Sequence, residues 1–170
     1  MLTYSYVNTA NGNVSETHGY IGGGGGNTGA PYGWQNLWNT IQKMTFASDS
    51  DAVDSGQDLL APWYNQANIS SADYGWCTGG INTSGSSENV IQKFPFASSA
   101  NATDIANLTL ARDYGVGTGS HTYGYTAGGF PNNNVIDKFS FSSGADATDV
   151  GDLTHAGSNG PGRGAGGFHV

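Results

Sequence analysis

Apolar residues recur along this chain in short runs at a spacing of two. In the clearest run, Val135, Asp137, Phe139 and Phe141 fall on one side of an extended segment, with Ile136, Lys138 and Ser140 on the other. Apolar groups on both sides predict a strand in a sheet packed on both faces. The same phrase occurs three times, as Thr40-Ile41-Gln42-Lys43-Met44-Thr45-Phe46-Ala47-Ser48, Val90-Ile91-Gln92-Lys93-Phe94-Pro95-Phe96-Ala97-Ser98 and Val135-Ile136-Asp137-Lys138-Phe139-Ser140-Phe141-Ser142-Ser143. All three lysines of the chain occupy one slot of this phrase, 50 and then 45 residues apart.

A second element follows each lysine strand: Asp51-Ala52-Val53-Asp54, Asn101-Ala102-Thr103-Asp104 and Asp146-Ala147-Thr148-Asp149, leading to Leu59, Leu108-Thr109 and Leu153-Thr154. A third precedes it and is built of small residues, as Tyr74-Gly75-Trp76-Cys77-Thr78-Gly79-Gly80 and Tyr123-Gly124-Tyr125-Thr126-Ala127-Gly128-Gly129. Weaker copies are 19–24 and 162–167. Glycine pairs ending a strand predict close backbone approach, a bulge or a turn of positive φ. The repeat divides the chain into units 2–58, 59–107 and 108–152, with a partial unit 153–170. No unit is large enough to bury a face alone, so neighbours must pack on one another.

Composition agrees with a folded β chain. Gly supplies 28 of 170 residues and charged residues only 11%, against about 7% and 25% in ordinary domains. Leu, Ile, Val and Phe total 29, but aromatics reach 12% and supply burial that aliphatics lack. With five basic and thirteen acidic residues and a net charge of -8, there is no basic stripe for a phosphate backbone, and nucleic-acid binding is not expected. No stretch approaches the ~20 apolar residues of a membrane helix, and the start of the chain does not read as a secretory signal. Membrane insertion is not expected. Cys77 is the only cysteine, which excludes an intrachain disulfide and predicts an inert buried thiol.

The glycine-pair strand, the lysine strand and the later Leu-Thr strand, with Arg112 after Leu108-Thr109, resemble a degenerate kelch repeat. That resemblance implies an all-β, propeller-like array of about three four-stranded units plus a terminal half unit. Residues 134–154, with Asn-Val-Ile-Asp-Lys-Phe and Ala-Thr-Asp-Val-Gly-Asp-Leu-Thr, are also similar to glycine-rich repeats of tail-fibre and virion proteins of aquatic bacteriophages, including cyanophages. The implied role is structural or adhesive, at a virion surface or otherwise extracellular, with homo-oligomers or other virion proteins as partners; the alternatives are a lectin-like module for cell-surface glycan and a subunit of a microbial extracellular filament. Single-chain propellers use about four to eight blades, so three units raise a closure problem. One solution is a terminal half unit that joins the next subunit head to tail, with Leu153, Thr154, Gly166, Gly167, Phe168 and Val170 as the assembly strand.

Candidate chemistry is sparse. His18, His121, His155 and His169 form no metal pair at helical spacing. No Gly-x-Ser-x-Gly elbow occurs, and the glycine runs at 22–26 and 115–119 lack the Lys-Ser/Thr of a phosphate loop. Galactose oxidase, an enzymatic relative of kelch propellers, is implied to need copper on Tyr and His beside a Cys-Tyr crosslink, yet Cys77 has no histidine close in sequence. The acidic stretch 49–58 lacks the glycine position and final Glu of an EF-hand, and Asp54, Asp104 and Asp149 read as Asx turns. Five N-x-Ser/Thr sequons, at Asn13, Asn68, Asn82, Asn101 and Asn107, exceed chance too little to carry meaning. No catalytic residue, cofactor or metal is expected. Tyr32, Trp34, Trp38, Trp63 and Tyr64 lie among amide side chains, the combination that stacks and hydrogen-bonds a sugar ring. Packing of these rings in a core short of aliphatics is the competing reading.

Overall fold

The computed structural model describes residues 11–25, 37–131 and 134–154. Among them there is no helix, and twelve strands form three four-stranded antiparallel sheets. The first sheet holds β1 (Asn11–Val14), β2 (His18–Gly22), β3 (Thr40–Thr45) and β4 (Val53–Asp58) in that order. The second holds β5 (Ala67–Ser70), β6 (Tyr74–Thr78), β7 (Glu88–Pro95) and β8 (Thr103–Arg112). The third holds β9 (Val116–Gly119), β10 (Tyr123–Ala127), β11 (Val135–Ser140) and β12 (Thr148–Asp152). Each glycine strand is the second strand of its sheet and each lysine phrase the third. The stretch 108–112, placed by the sequence at the head of a third unit, runs on instead as the end of β8. The first strands approach one another, β1 with β5 and β5 with β9, and the sheets fan out from them.

The register explains the small residues. Gly19 pairs with Met44, Gly75 with Phe94 and Gly124 with Phe139. A Cβ on Gly75 or Gly124 would collide with the paired phenylalanine ring, which lies flat over the bare backbone. That placement leaves the next residue along, Tyr20, Trp76 or Tyr125, to point from the opposite face. At the strand's end Gly79 adopts φ 63° and packs against the Arg112 carbonyl, where a side chain would be both strained and obstructed.

Two interfaces join the sheets, and they use the same slots. Between the first and second, Tyr20, Ile41 and Leu59 pack on Cys77, Phe94 and Ala102, with Phe96 beside them. The Tyr20 ring stands 5.6 Å from Phe94 and 4.8 Å from Phe96. Between the second and third, Trp76, Ile69, Ile91, Ala106 and Leu108 pack on Phe139 and Ala147. Trp76 stands 5.5 Å from Phe139 and 5.1 Å from Phe141. At each interface one sheet therefore offers a ring from its second strand, and the next receives it on two phenylalanines at the end of its third. Lys93 caps the second of these stacks, its Nζ 4.5 Å from the Tyr74 ring centre and 5.0 Å from that of Trp76, and Lys138 Nζ lies 3.8 Å from the centre of the exposed Tyr123 ring.

The Asx-Ala element fastens the rim. Asn101 Oδ1 accepts the Asp58 N–H at 3.0 Å while Ala102 N–H donates to the Asp58 carbonyl at 2.8 Å. One interface later, Asp146 Oδ1 accepts from Asn107 N–H at 2.8 Å, and Ala147 N–H donates to the Asn107 carbonyl at 2.8 Å. Asp54 and Asp149 make the expected Asx turns, to the N–H of Gly56 at 2.8 Å and of Gly151 at 3.1 Å. Asp104 is followed two residues later by Ala106, in place of the glycine found there in the other sheets.

Because the ring of Phe94 occupies the space a side chain would need, Gly75→Ala should cost about 1–3 kcal/mol by overpacking. Gly12→Ala meets only the Tyr20 carbonyl oxygen, at 3.8 Å, and should change stability by less than about 0.5 kcal/mol. Urea unfolding midpoints of the two variants make the comparison.

Candidate functional site

The most concentrated polar chemistry is buried between the second and third sheets. Arg112, at the end of β8, is 1% exposed and reaches Asp137 of β11, which is fully buried, with Nη2 2.7 Å from Oδ2. Arg112 Nη1 also donates to the Val135 carbonyl at 3.0 Å. The Asp137 carboxylate further accepts the Thr109 N–H at 3.1 Å and the Thr109 hydroxyl at 2.7 Å. Burial pushes the Arg112 guanidinium below its ordinary value, opposed by the carboxylates of Asp137 and Asp149. The pair is enclosed and joins the second and third sheets, with Arg112 Nε buried and without a hydrogen-bond partner among the described residues. In the equivalent slot of the first interface, Gln92 Oε1 accepts the Leu60 N–H at 2.9 Å. The sequence carries a trace of this difference: the lysine phrase reads Gln42 and Gln92 in two copies and Asp137 only in the copy that follows Arg112.

A second place lies at one end of the first strands, where the turns after β1, β5 and β9 meet. There Ser15, Glu16, Ser71 and Ala72, with Ser120 and His121, line a cavity of about 400 Å³. The serine hydroxyls are occupied, each donating to a carbonyl three residues on, at His18, Tyr74 and Tyr123. Trp76 Nε1 also donates to the Ser71 hydroxyl at 3.1 Å. What the cavity presents is one carboxylate and one imidazole on exposed turns. Among the described residues no group of three or more His, Cys, Asp or Glu could hold a metal ion.

Cys77 is 1% exposed, and burial pushes its thiol up to about 12. It is the inert core thiol its neighbours predict, donating toward Asn68 Oδ1 at 3.1 Å. His18 is turned to the Thr17 hydroxyl at 2.8 Å.

The expected sugar platform is only partly present. Trp38 is 52% exposed and Trp63 half-buried, and their backbones meet one corner: Trp38 N–H donates to the Gly24 carbonyl at 2.9 Å, and Gly24 N–H to the Trp63 carbonyl at 3.4 Å. Tyr64 is a correction. It is 3% exposed and lies among core residues, with burial pushing its phenol up, so its ring has no face to offer a sugar. Its position at the entry to the second sheet, exchanging backbone hydrogen bonds with Ile81, is what buries it. Tyr32 and Trp34 lie outside the described residues, as do Gly166, Gly167, Phe168 and Val170 of the expected assembly strand. Leu153 donates its N–H to the Asn134 carbonyl of its own sheet at 2.7 Å, as Leu59 does to Asn39. Thr154 follows it, exposed.

No family model matches the chain, and no curated protein does. A solved structure described as "Structure of YjhT" matches with a TM-score of 0.71 at 9% identity, over 87% of this chain and 53% of that one. The fold is propeller-like. At so low an identity the likeness shows the fold alone, and the three sheets are blades covering about half the length of the matched chain.

Two measurements check these assignments. Asp137→Asn should cost about 3–5 kcal/mol by stranding a buried guanidinium, and Arg112→Met combined with Asp137→Gln, which restores the glutamine of the first interface, should recover most of it in urea unfolding. For Cys77 the unfolded chain ionises near 9.0 while the folded thiol stays protonated to about 12. Its contribution is therefore whole below pH 9 and falls as pH rises toward 12, by up to about 1.4 kcal/mol per pH unit. Cys77→Ala should lack that slope.

Proposed function

We propose that this chain is a non-enzymatic structural and adhesive protein of a virion surface, a tail or head fibre component that assembles through its ends. One observation carries the reading. The groups the sequence offers for chemistry in the blades, Arg112, Asp137, Cys77 and the strand aromatics, are spent on joining blade to blade. The outermost blades meanwhile keep unmatched halves of that join. The resemblance of residues 134–154 to phage fibre repeats supplies the virion. Mass spectrometry of purified particles from the source that encodes the chain should find it in stoichiometric amount, and antibody to it should label tail or head fibres. Particles free of it would overturn the virion reading.

Exposed Trp38 beside half-buried Trp63 favours glycan binding as the adhesive activity. Replacing Trp38 by Ala should weaken binding to any glycan the chain captures by about tenfold, the equivalent of about 1.4 kcal/mol. A silent glycan array would end this second reading.

A further inference from the structure

Both interfaces inside the chain are built from one set of slots, and each terminal blade carries half of that set. The giving half is a ring on the second strand, Tyr20 or Trp76, with main chain at the end of the blade: the Asp58 or Asn107 backbone and the Leu60 or Thr109 N–H. The receiving half is a pair on the third strand, Phe94 and Phe96 or Phe139 and Phe141, with the buried acceptor Gln92 or Asp137 and the Asx-Ala clasp.

On the third blade the giving ring is Tyr125, which pairs with Lys138 as Trp76 pairs with Lys93, and Asp152 ends β12 where Asp58 ends β4. On the first blade the receiving slots hold Met44 and Phe46, Gln42 as the acceptor, and Asp51-Ala52 as the clasp. Each type is kept: a flexible apolar side chain for phenylalanine, Phe for Phe, Gln for Gln, Asx-Ala for Asx-Ala. The main chain of residues 58 and 107 accepts and donates in both clasps, while a side-chain bond, Asn107 Nδ2 to Asp146 Oδ1 at 3.2 Å, is added only in the second, so Asp152 matches the main-chain clasp of Asp58. The receiving residues of the first blade stand open, with Phe46 56% and Met44 40% exposed, whereas Phe94 in the same slot as Met44 is 1% exposed. Gln42, Asp51 and Ala52 are exposed as well.

From this we infer that the first blade's outer face receives the third blade of a second copy of this chain, and that two copies joined head to tail close one ring of six blades. The occupant is a second copy because the open slots repeat, one by one, the interface the chain already makes with itself. The count is two because the chain spans 53% of a propeller chain of the same fold. The inference rests on the assembly part of the proposed function and not on the virion, so particle labelling and the test below fail separately.

The test uses the 170-residue chain and two substitutions on opposite faces, Phe46→Asp and Tyr125→Asp. Light-scattering mass should show a dimer for the unaltered chain and a monomer for each variant, with unchanged circular dichroism. An equimolar mixture of the two variants has one intact join, Tyr125 of the Phe46→Asp chain on Phe46 of the Tyr125→Asp chain. It should regain the dimer mass at a concentration where each alone is monomeric. A mixture that stays monomeric overturns the head-to-tail join, as does a dimer lost only with Phe46→Asp, the mark of two like faces back to back. An unaltered chain that is monomeric or filamentous overturns the two-copy ring.

Discussion

Everything in this fold depends on one ring crossing from each blade to the next. With so few aliphatic residues, a blade of four short strands cannot cover its own faces, and apolar burial has to be concentrated in large flat groups. Tyr20 and Trp76 do this by lodging against paired phenylalanines of the following blade. The glycine strand is a consequence. For Phe94 or Phe139 to lie close to the sheet plane and leave room for the incoming ring, the residue opposite must have no side chain. The lysine slot is a second consequence, because the outer edge of an aromatic stack is a favourable seat for an ammonium group that stays in water.

The polar half of each join fixes alignment where the rings alone would allow sliding. The buried side chain at 92 or 137 must find a donor, and the backbone N–H of residue 60 or 109 supplies it. The neutral solution uses Gln92. The charged one uses Asp137 and imports Arg112 from the preceding blade, a pair whose desolvation cost offsets much of its attraction. Its worth lies in being intolerant of error: displacing the second and third blades by one residue would leave two charges buried and unpaired. The two joins of the chain are therefore alike in shape and unlike in chemistry, which distinguishes them from each other.

Much of this architecture could be read directly from the repeat. The lysine phrase fell on β3, β7 and β11, and its mixed alternation reports burial on both faces of β7 and β11, the two that receive a neighbour's ring. The three four-stranded sheets follow the repeat count, and the glycine pairs sit where backbone approaches backbone. What a local reading missed is relational. The Asx-Ala element looked like a turn, and Asp54 and Asp149 do make turns, but Asn101 and Asp146 reach across to another blade, 43 and 39 residues away. Tyr64 looked like Trp63, its neighbour in a polar loop, yet the blade entry buries one ring and leaves the other half-open. Arg112 entered the sequence reading only as part of the likeness to a kelch repeat. Its meaning lay in the simultaneous change of glutamine to aspartate at 137, which a comparison of copies reveals only when two slots are read together.

The division of labour between strands and loops bears on where recognition sits. Where two blades of the chain meet, the positions that recur from copy to copy, the ring, the phenylalanines, the acceptor and the Asx-Ala pair, form the join. Segments that vary in length and composition, such as the stretch between β2 and β3 that leads to Trp38 and the one between β4 and β5 that holds Trp63, lie between strands. A loop held at both ends by a repeated scaffold can change without disturbing the core. Such a chain separates its two demands physically: the blade faces that meet are committed to one another by shape, and the loops between strands are left free to vary.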